Sequence, residues 1–164
     1  MANIFVKIDG IPGESLVEAH KDELEVLSFS MGAMQPVSGT PSSAGGATAA
    51  SVRFSEISFA KYVDKSTPKL YKFCSAGNHI DNITFSFHRA AADGATVKYL
   101  EVVLTNTLIS NISTAGSGGE DILVENVSLN FGAIQLTYVE QARKQGAEEG
   151  NLPFKIDLEL LKIN

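Results

Sequence analysis

Residues 82–89 read Asn-Ile-Thr-Phe-Ser-Phe-His-Arg, with Ile83, Phe85 and Phe87 at every second position and polar groups between them. A period of two is what a pleated strand with one buried face requires, because successive side chains point to opposite sides. Working outward, the same period recurs. Upstream, Ile4-Phe-Val-Lys-Ile8 reads as a strand ended by Asp9-Gly10 and the turn chemistry of Gly10-Ile-Pro-Gly13. Downstream, Leu100, Val102 and Leu104 mark a strand over 97–106, followed by a further one over 107–113. Val127, Leu129 and Phe131 mark 123–131, and Ile134, Leu136 and Tyr138 mark 133–139. After a charged, glycine-containing separator at 140–151, Phe154, Ile156, Leu158 and Leu160 share one face of a last strand over 153–163. Strands at this spacing predict a mainly β fold, a barrel or a sandwich.

Four segments break the plain alternation. In 24–34, Leu24 and Val26 hold one phase and Leu27, Phe29 and Met31 the other, so a bulge or corner is expected between Val26 and Leu27. The strand over 52–59 changes phase in the same way, from Val52 and Phe54 to Ile57 and Phe59. Residues 66–76 predict the one helix: Ser66 or Thr67 as cap, Pro68 in the first turn, Leu70, Phe73 and Cys74 at i, i+3 and i+4, and Gly77 as terminator. Its apolar stripe would cover a barrel opening or sheet face, leaving Lys65, Lys69 and Lys72 solvated. Residues 35–51 hold Pro, Gly, Ser, Thr and Ala with no charge, and cannot bury much. A structureless loop this long is uncommon inside a compact domain, and 35–51 is the first segment to assign to contact with another molecule.

The 164 residues suit one domain, 1–164, with about 70% of the unfolded surface buried, enough to fold without staples. Thirteen basic against nineteen acidic residues give a net charge of −6, the opposite of a nucleic-acid footprint. The charge is layered: 1–50 acidic, 51–100 basic, 101–164 acidic, which suits attraction between opposite faces of identical subunits or a scattered solvated surface. A single cysteine, Cys74, excludes an intrachain disulfide, and on the helix stripe it reads as a small buried hydrophobe. No apolar run approaches the roughly 18–20 residues of a membrane helix, and none suits a signal peptide, so membrane insertion is not expected and the chain reads as made in the cytoplasm.

The residues offer little to an enzyme. His20, His79 and His88 each read as solitary, with no pair at metal-ligand spacing. Gly116-Ser-Gly-Gly119 lacks the Lys-Ser/Thr of a phosphate loop and precedes a strand rather than a helix. Glu120, Asp121 and Glu125 read as solvated or bonded to loop amides rather than as catalytic partners. No catalytic residue, metal or cofactor is expected.

Three phrases share one likeness: Phe5-Val-Lys-Ile-Asp-Gly10 followed by Gly13-Glu-Ser15; Ser58-Phe-Ala-Lys-Tyr-Val-Asp-Lys-Ser-Thr-Pro-Lys-Leu70; and Ser117-Gly-Gly-Glu-Asp121 through Glu125-Asn-Val-Ser-Leu-Asn-Phe131. In order and spacing the chain resembles the Hcp (hemolysin-coregulated protein) family of the bacterial type VI secretion system, from the first strand to Tyr138. The resemblance implies a single-domain β-barrel of two antiparallel sheets with one flanking helix, similar to phage tail-tube proteins. It also implies homo-hexameric rings that stack into a hollow tube, and export through the apparatus itself. The implied partners are a VgrG-type spike protein, a contractile sheath, a baseplate and small effector proteins carried in the lumen.

By the same resemblance, the extended loop would reach the neighbouring ring through Ser38, Gly39, Thr40, Ser42, Gly45 and Gly46. Ser28 and Ser30 hold the small polar positions that face the lumen in relatives, here within Ser28-Phe-Ser-Met-Gly32 and without tryptophan. Residues 140–164 match the family pattern poorly. A jelly-roll module that binds a small ligand without catalysis, or a phage tail-tube protein, is the alternative reading of the same strands.

Overall fold

The computed structural model describes residues 3–36, 52–90, 94–141, 148–159 and 162–163. Eleven strands and one helix follow in order: β1 (Ile4–Ile8), β2 (Leu24–Glu25), β3 (Ser28–Ser30), β4 (Ala33–Met34), β5 (Arg53–Phe54), β6 (Ile57–Tyr62), α1 (Thr67–Ala76), β7 (Ile80–Ala90), β8 (Thr96–Ala115), β9 (Val124–Gln141), β10 (Glu148–Asp157) and β11 (Lys162–Ile163). All ladders are antiparallel.

The expected break after Phe131 does not occur, nor the one at Asn106. Residues 97–106 and 107–113 form one strand of twenty residues, and 123–131 and 133–139 join through Gly132. All strands but β4 and β5 belong to one continuous nine-stranded sheet, and each long strand bends so that the sheet curls over on itself and its two halves face each other as two sheets. The first half of β8 pairs with β7 and with the second half of β9, which also carries β10. The second half of β8 pairs with the first half of β9, which carries β6 and then β3. Asn106 sits at the bend with φ +52°, a conformation Asn tolerates through its short polar side chain. Its amide is fixed by His79 Nδ1 at 2.6 Å and by Glu159. A register shift between Ile109 and Asn111 adds curvature.

The chain crosses between the two sheets at the expected corner. Val26 N donates to Ile4 O of β1, and the next amide, Leu27 N, donates to Ala60 O of β6. Consecutive amides thus bond to different sheets, which is why the apolar phase changes there. The strand expected over 52–59 is two: β5 pairs with β4 as a small separate ladder, while β6 belongs to the main sheet. Gly32 O, which accepts from both Ser55 N and Ser55 Oγ, holds the corner between them.

The last strand differs from expectation. β10 starts inside the charged segment at Glu148 and stops at Asp157, where a turn leads back to β11. Ile156 is buried and Leu158 packs on the core, but Phe154 is exposed. Leu160 lies outside the described residues. Tyr138 is likewise exposed, with Val139 buried instead.

The core lies between the two sheets. Phe59, Phe85, Leu104, Leu129 and Ile134 are fully buried, and Phe29 sits edge-on to Phe85 and Phe87 at 4.9 and 4.8 Å. Helix α1 packs along β8, burying Leu70 and setting Phe73 and a half-buried Cys74 against the core, with Lys65, Lys69 and Lys72 exposed as expected. Gly77 terminates it at φ +63°, where its N–H donates to Cys74 O. Ser66 occupies the cap position, but its hydroxyl makes no cap bond and donates to Asp64. Asp64 Oδ1 fixes the turn that leads into the helix, accepting Ser66 N at 2.8 Å.

Beneath the start of α1, the structure overturns the reading of Glu125 as a solvated acid. Lys61 on β6 and Glu125 on β9 are direct cross-strand partners in the inward phase, both fully buried, with Nζ to Oε1 at 2.6 Å. Lys61 Nζ also reaches Asp64 Oδ1 at 2.7 Å and Tyr62 O at 2.8 Å, and Thr67 Oγ1 of α1 donates to Glu125 Oε1 at 3.0 Å. Removing one partner leaves a buried charge uncompensated. Lys61→Met is therefore expected to lower stability by about 3–5 kcal/mol in urea unfolding, and the double substitution Lys61→Met with Glu125→Met to recover most of that loss. Equal losses in the single and double variants would show that the pair is not coupled.

Candidate functional site: an uncharged polar sheet face

Along β3, Phe29 turns into the core and leaves Ser28 and Ser30 exposed on the outer side. The register extends that face across the sheet. Ser30 stands opposite Ser58 of β6, Ser58 opposite Ser128 of β9, and Ser128 opposite Asn111 of β8. The next row runs from Ser28 through Ala60 and Asn126 to Ser113. Ser58 Oγ and Ser128 Oγ lie 3.2 Å apart, and Ser110 Oγ donates to Ser128 O at 3.2 Å. The four strands thus present serine and asparagine in two rows, none of them charged.

The chemistry of this face follows from its donors and acceptors. Hydroxyls and primary amides both donate and accept, so they hold water without fixing one partner. With no charge and no large apolar group in either row, the surface offers a passing chain neither a strong attraction nor a strong repulsion. Beyond Ser28 and Ser30, Ser58, Asn111, Ser113, Asn126 and Ser128 join the face through a register that local sequence does not reveal. Their signal lay in the alternation of Glu125-Asn-Val-Ser-Leu-Asn130, whose polar phase is the face. Ser38, Gly39, Thr40, Ser42, Gly45 and Gly46 lie outside the described residues.

Elsewhere the described surface has grooves. An open groove of about 790 Å³ is lined by Glu14, Glu25, Asp64, Leu27, Tyr62 and Ile122 among others, with Ser15 and Tyr62 supplying hydroxyls and no histidine among the lining residues. In the 116–120 turn, Glu120 Oε2 accepts from Ser117 N at 3.2 Å, as expected of an acid beside loop amides. His20 and His88 are not solitary: their Nε2 atoms lie 3.1 Å apart, and Glu23 Oε2 is 2.8 Å from His20 Nδ1. Sixty-eight positions separate the two rings in sequence, so only the fold brings them together. No group of three His, Cys, Asp or Glu side chains among the described residues is placed to hold a metal ion, and no described helix is long and apolar enough to cross a membrane.

The model of the family described as "Type VI secretion system effector, Hcp" matches residues 5–138. The chain belongs to the Hcp family. It is 41% identical over 148 residues to protein hcp1 of Pseudomonas aeruginosa, covering 90% of this chain and 89% of that one. Among solved structures it is similar to Hcp1 of Salmonella typhimurium, at 31% identity and a TM-score of 0.80 with both chains fully covered. A type VI secretion system effector from Yersinia pestis is 30% identical, with a TM-score of 0.72 over 94% of this chain and 98% of that one. The mainly β fold, a curled antiparallel sheet with one helix, is thus the Hcp fold, and the family match ends at Tyr138.

If the two polar rows are surface rather than packing, Ser30→Ala and Asn126→Ala should each leave unfolding stability within about 0.5 kcal/mol. Phe29→Ala, one position away and turned inward, should cost about 3 kcal/mol. Chemical denaturation of the three variants checks the contrast.

Proposed function

We propose that this chain is a structural subunit of the type VI secretion inner tube. It assembles into hexameric rings that stack head to tail, carries effector cargo in the lumen and leaves the cell with the apparatus, without an enzymatic step. Beyond family membership, the observation that carries this reading is the uncharged serine and asparagine face of β3, β6, β9 and β8. A conduit must let varied proteins pass, and such a face binds none of them tightly. Ser28 and Ser30 would then line the lumen, with Ser58, Asn126 and Ser128 beside them.

Ring closure suits the strands available. Among the described residues β2 and β3 each pair on one side, and such edges need cover; a heterologous interface that closes by rotation covers them in every subunit at once. Stacking falls to the 35–51 loop, with Ser38, Gly39, Thr40, Ser42, Gly45 and Gly46 as contacts. An uncharged loop loses conformational entropy on docking, which suits a contact weaker than those within the ring. The spike protein, sheath, baseplate and effectors are the partners this role requires.

Light scattering after size exclusion, followed by negative-stain microscopy, tests the proposal. The expected particle is an annulus of about six 17.5 kDa subunits; a particle of one subunit at high concentration would overturn it. Deleting residues 39–46 should abolish stacking and leave single rings, whereas loss of the rings themselves would reject the role given to the loop.

A further inference from the structure

On the sheet opposite the polar rows, residues 13–23 form a strap over the outer side of β1. The strap is closed on itself by Gly13 N to Asp22 O at 2.8 Å, Ser15 N to Glu23 O at 3.0 Å and Asp22 N to Ser15 O at 3.0 Å. Gly13 permits this closure, since a Cβ there would stand 2.3 Å from Glu23 O. A single 3-10 turn, Glu18–His20, brings the His20 ring flat onto Phe5, at 4.4 Å between centroids and 5° between planes. His88, displaced by the register shift between Phe87 and His88 in β7, meets both rings edge-on. Phe5, though on the outer side of its strand, is only 3% exposed.

We propose that the His20–His88 contact is a proton-operated latch that holds the strap against the outer face of β1 and β7. Two Nε2 atoms 3.1 Å apart have room for one proton between them. With Glu23 taking the Nδ1–H of His20, that proton is donated by His88 to His20 when both rings are neutral. A proton added to His88 goes to its Nδ1, which is buried and has no hydrogen-bond partner while the strap is in place, so a charged, unsatisfied N–H would be buried there and the proton enters only as the strap lifts.

The surroundings work in the same direction. Lys98 of β8 stands opposite His88 in register, its charge shared with Glu101, and Arg89 lies over Tyr99 at 5.9 Å. Lys7 and Glu25 flank Phe5 on β1 and β2, and Glu18, Lys21 and Asp22 complete the charged groups of the strap beside His20. Burial first, then the His20 ring and Lys98, hold the His88 pKa below the usual histidine value, against the opposing pull of the Ser86 and Asn3 backbone. At its other end the strap is tied by Glu14 Oε1 accepting from Lys65 N at 3.2 Å and by the Asp22–Lys65 ion pair at 3.4 Å, neither of which involves histidine.

The sign follows from proton counting. The lifted strap binds a proton on His88 at the ordinary value of about 6.5, and the latched strap only at lower pH. Latching is therefore complete above about pH 6.5 and weakens as pH falls through the acid side of that value, by up to about tenfold per unit. Opening would free a segment whose tip carries Leu16, 91% exposed, and Val17.

Hydrogen exchange of the full chain between pH 7.5 and 5.0, corrected for intrinsic rates, reads the latch directly. The expected result is falling protection of the Gly13, Ser15, Asp22 and Glu23 amides, with β7–β8 amides such as Val103 unchanged. In His88→Gln, which keeps a donor for His20 but does not titrate, strap protection should be flat with pH. Unchanged strap protection in the wild type, or the same fall in the variant, would overturn the proposal. Imidazole NMR of the wild type gives a second readout should the variant not fold. His88 should titrate below 6.5 together with the strap amides, and titration at or above that value with the strap unmoved would be equally fatal.

Discussion

The β8–β9 ladder belongs to both sheets at once, and every other element takes its place from it. A straight strand of twenty residues would extend roughly 65 Å, far beyond the size of a domain this long, so the pair has to bend. It bends at Asn106 and Gly132, which lie on facing strands at the point where pairing passes from one sheet to the other. From there β7 and β10 extend one sheet and β6 and β3 the other. The space between is the core, and the aromatic contacts of Phe29, Phe59, Phe85 and Phe87 fill it.

At the end of the ladder the buried Lys61–Glu125 pair binds three elements together: β6, β9 and, through Thr67, the first turn of α1. A buried ion pair contributes little net stability once desolvation is counted, but it is intolerant of any other arrangement. A slip of β6 on β9 by one residue would turn Lys61 to the outer face and leave Glu125 buried without its partner. The pair therefore acts on specificity, and the register it enforces is the one that sets Ser58 opposite Ser128.

The two outer surfaces differ in chemistry. One sheet presents uncharged hydroxyls and amides whose state does not change with pH in the neutral range. The other carries the strap, with two imidazoles, carboxylates and lysines over a buried Phe5. Both arise from the same period-two strands, through what occupies the outward phase.

Much of this architecture was legible in the chain itself. The alternation in 82–89, the phase change at Val26–Leu27 and the 66–76 helix all reappear in the structure, because each depends on side-chain direction within a few residues. The phrases around Lys61 and Glu125 carried the family, yet their charges gave no sign of burial. Sequence shows that a lysine and a glutamate exist; their being cross-strand partners depends on a register set between segments sixty-four residues apart. The breaks expected at Asn106 and after Phe131 failed for a related reason: a polar or glycine residue interrupts the pattern, while ladder bonds on both sides carry the strand through. His20 and His88 looked solitary because local reading has no term for distant contact. Local order was determined by the sequence through the alternation of its side chains, and the ion pair, the continuous polar face and the histidine contact were decided only when tertiary pairing fixed which distant residues stand opposite one another.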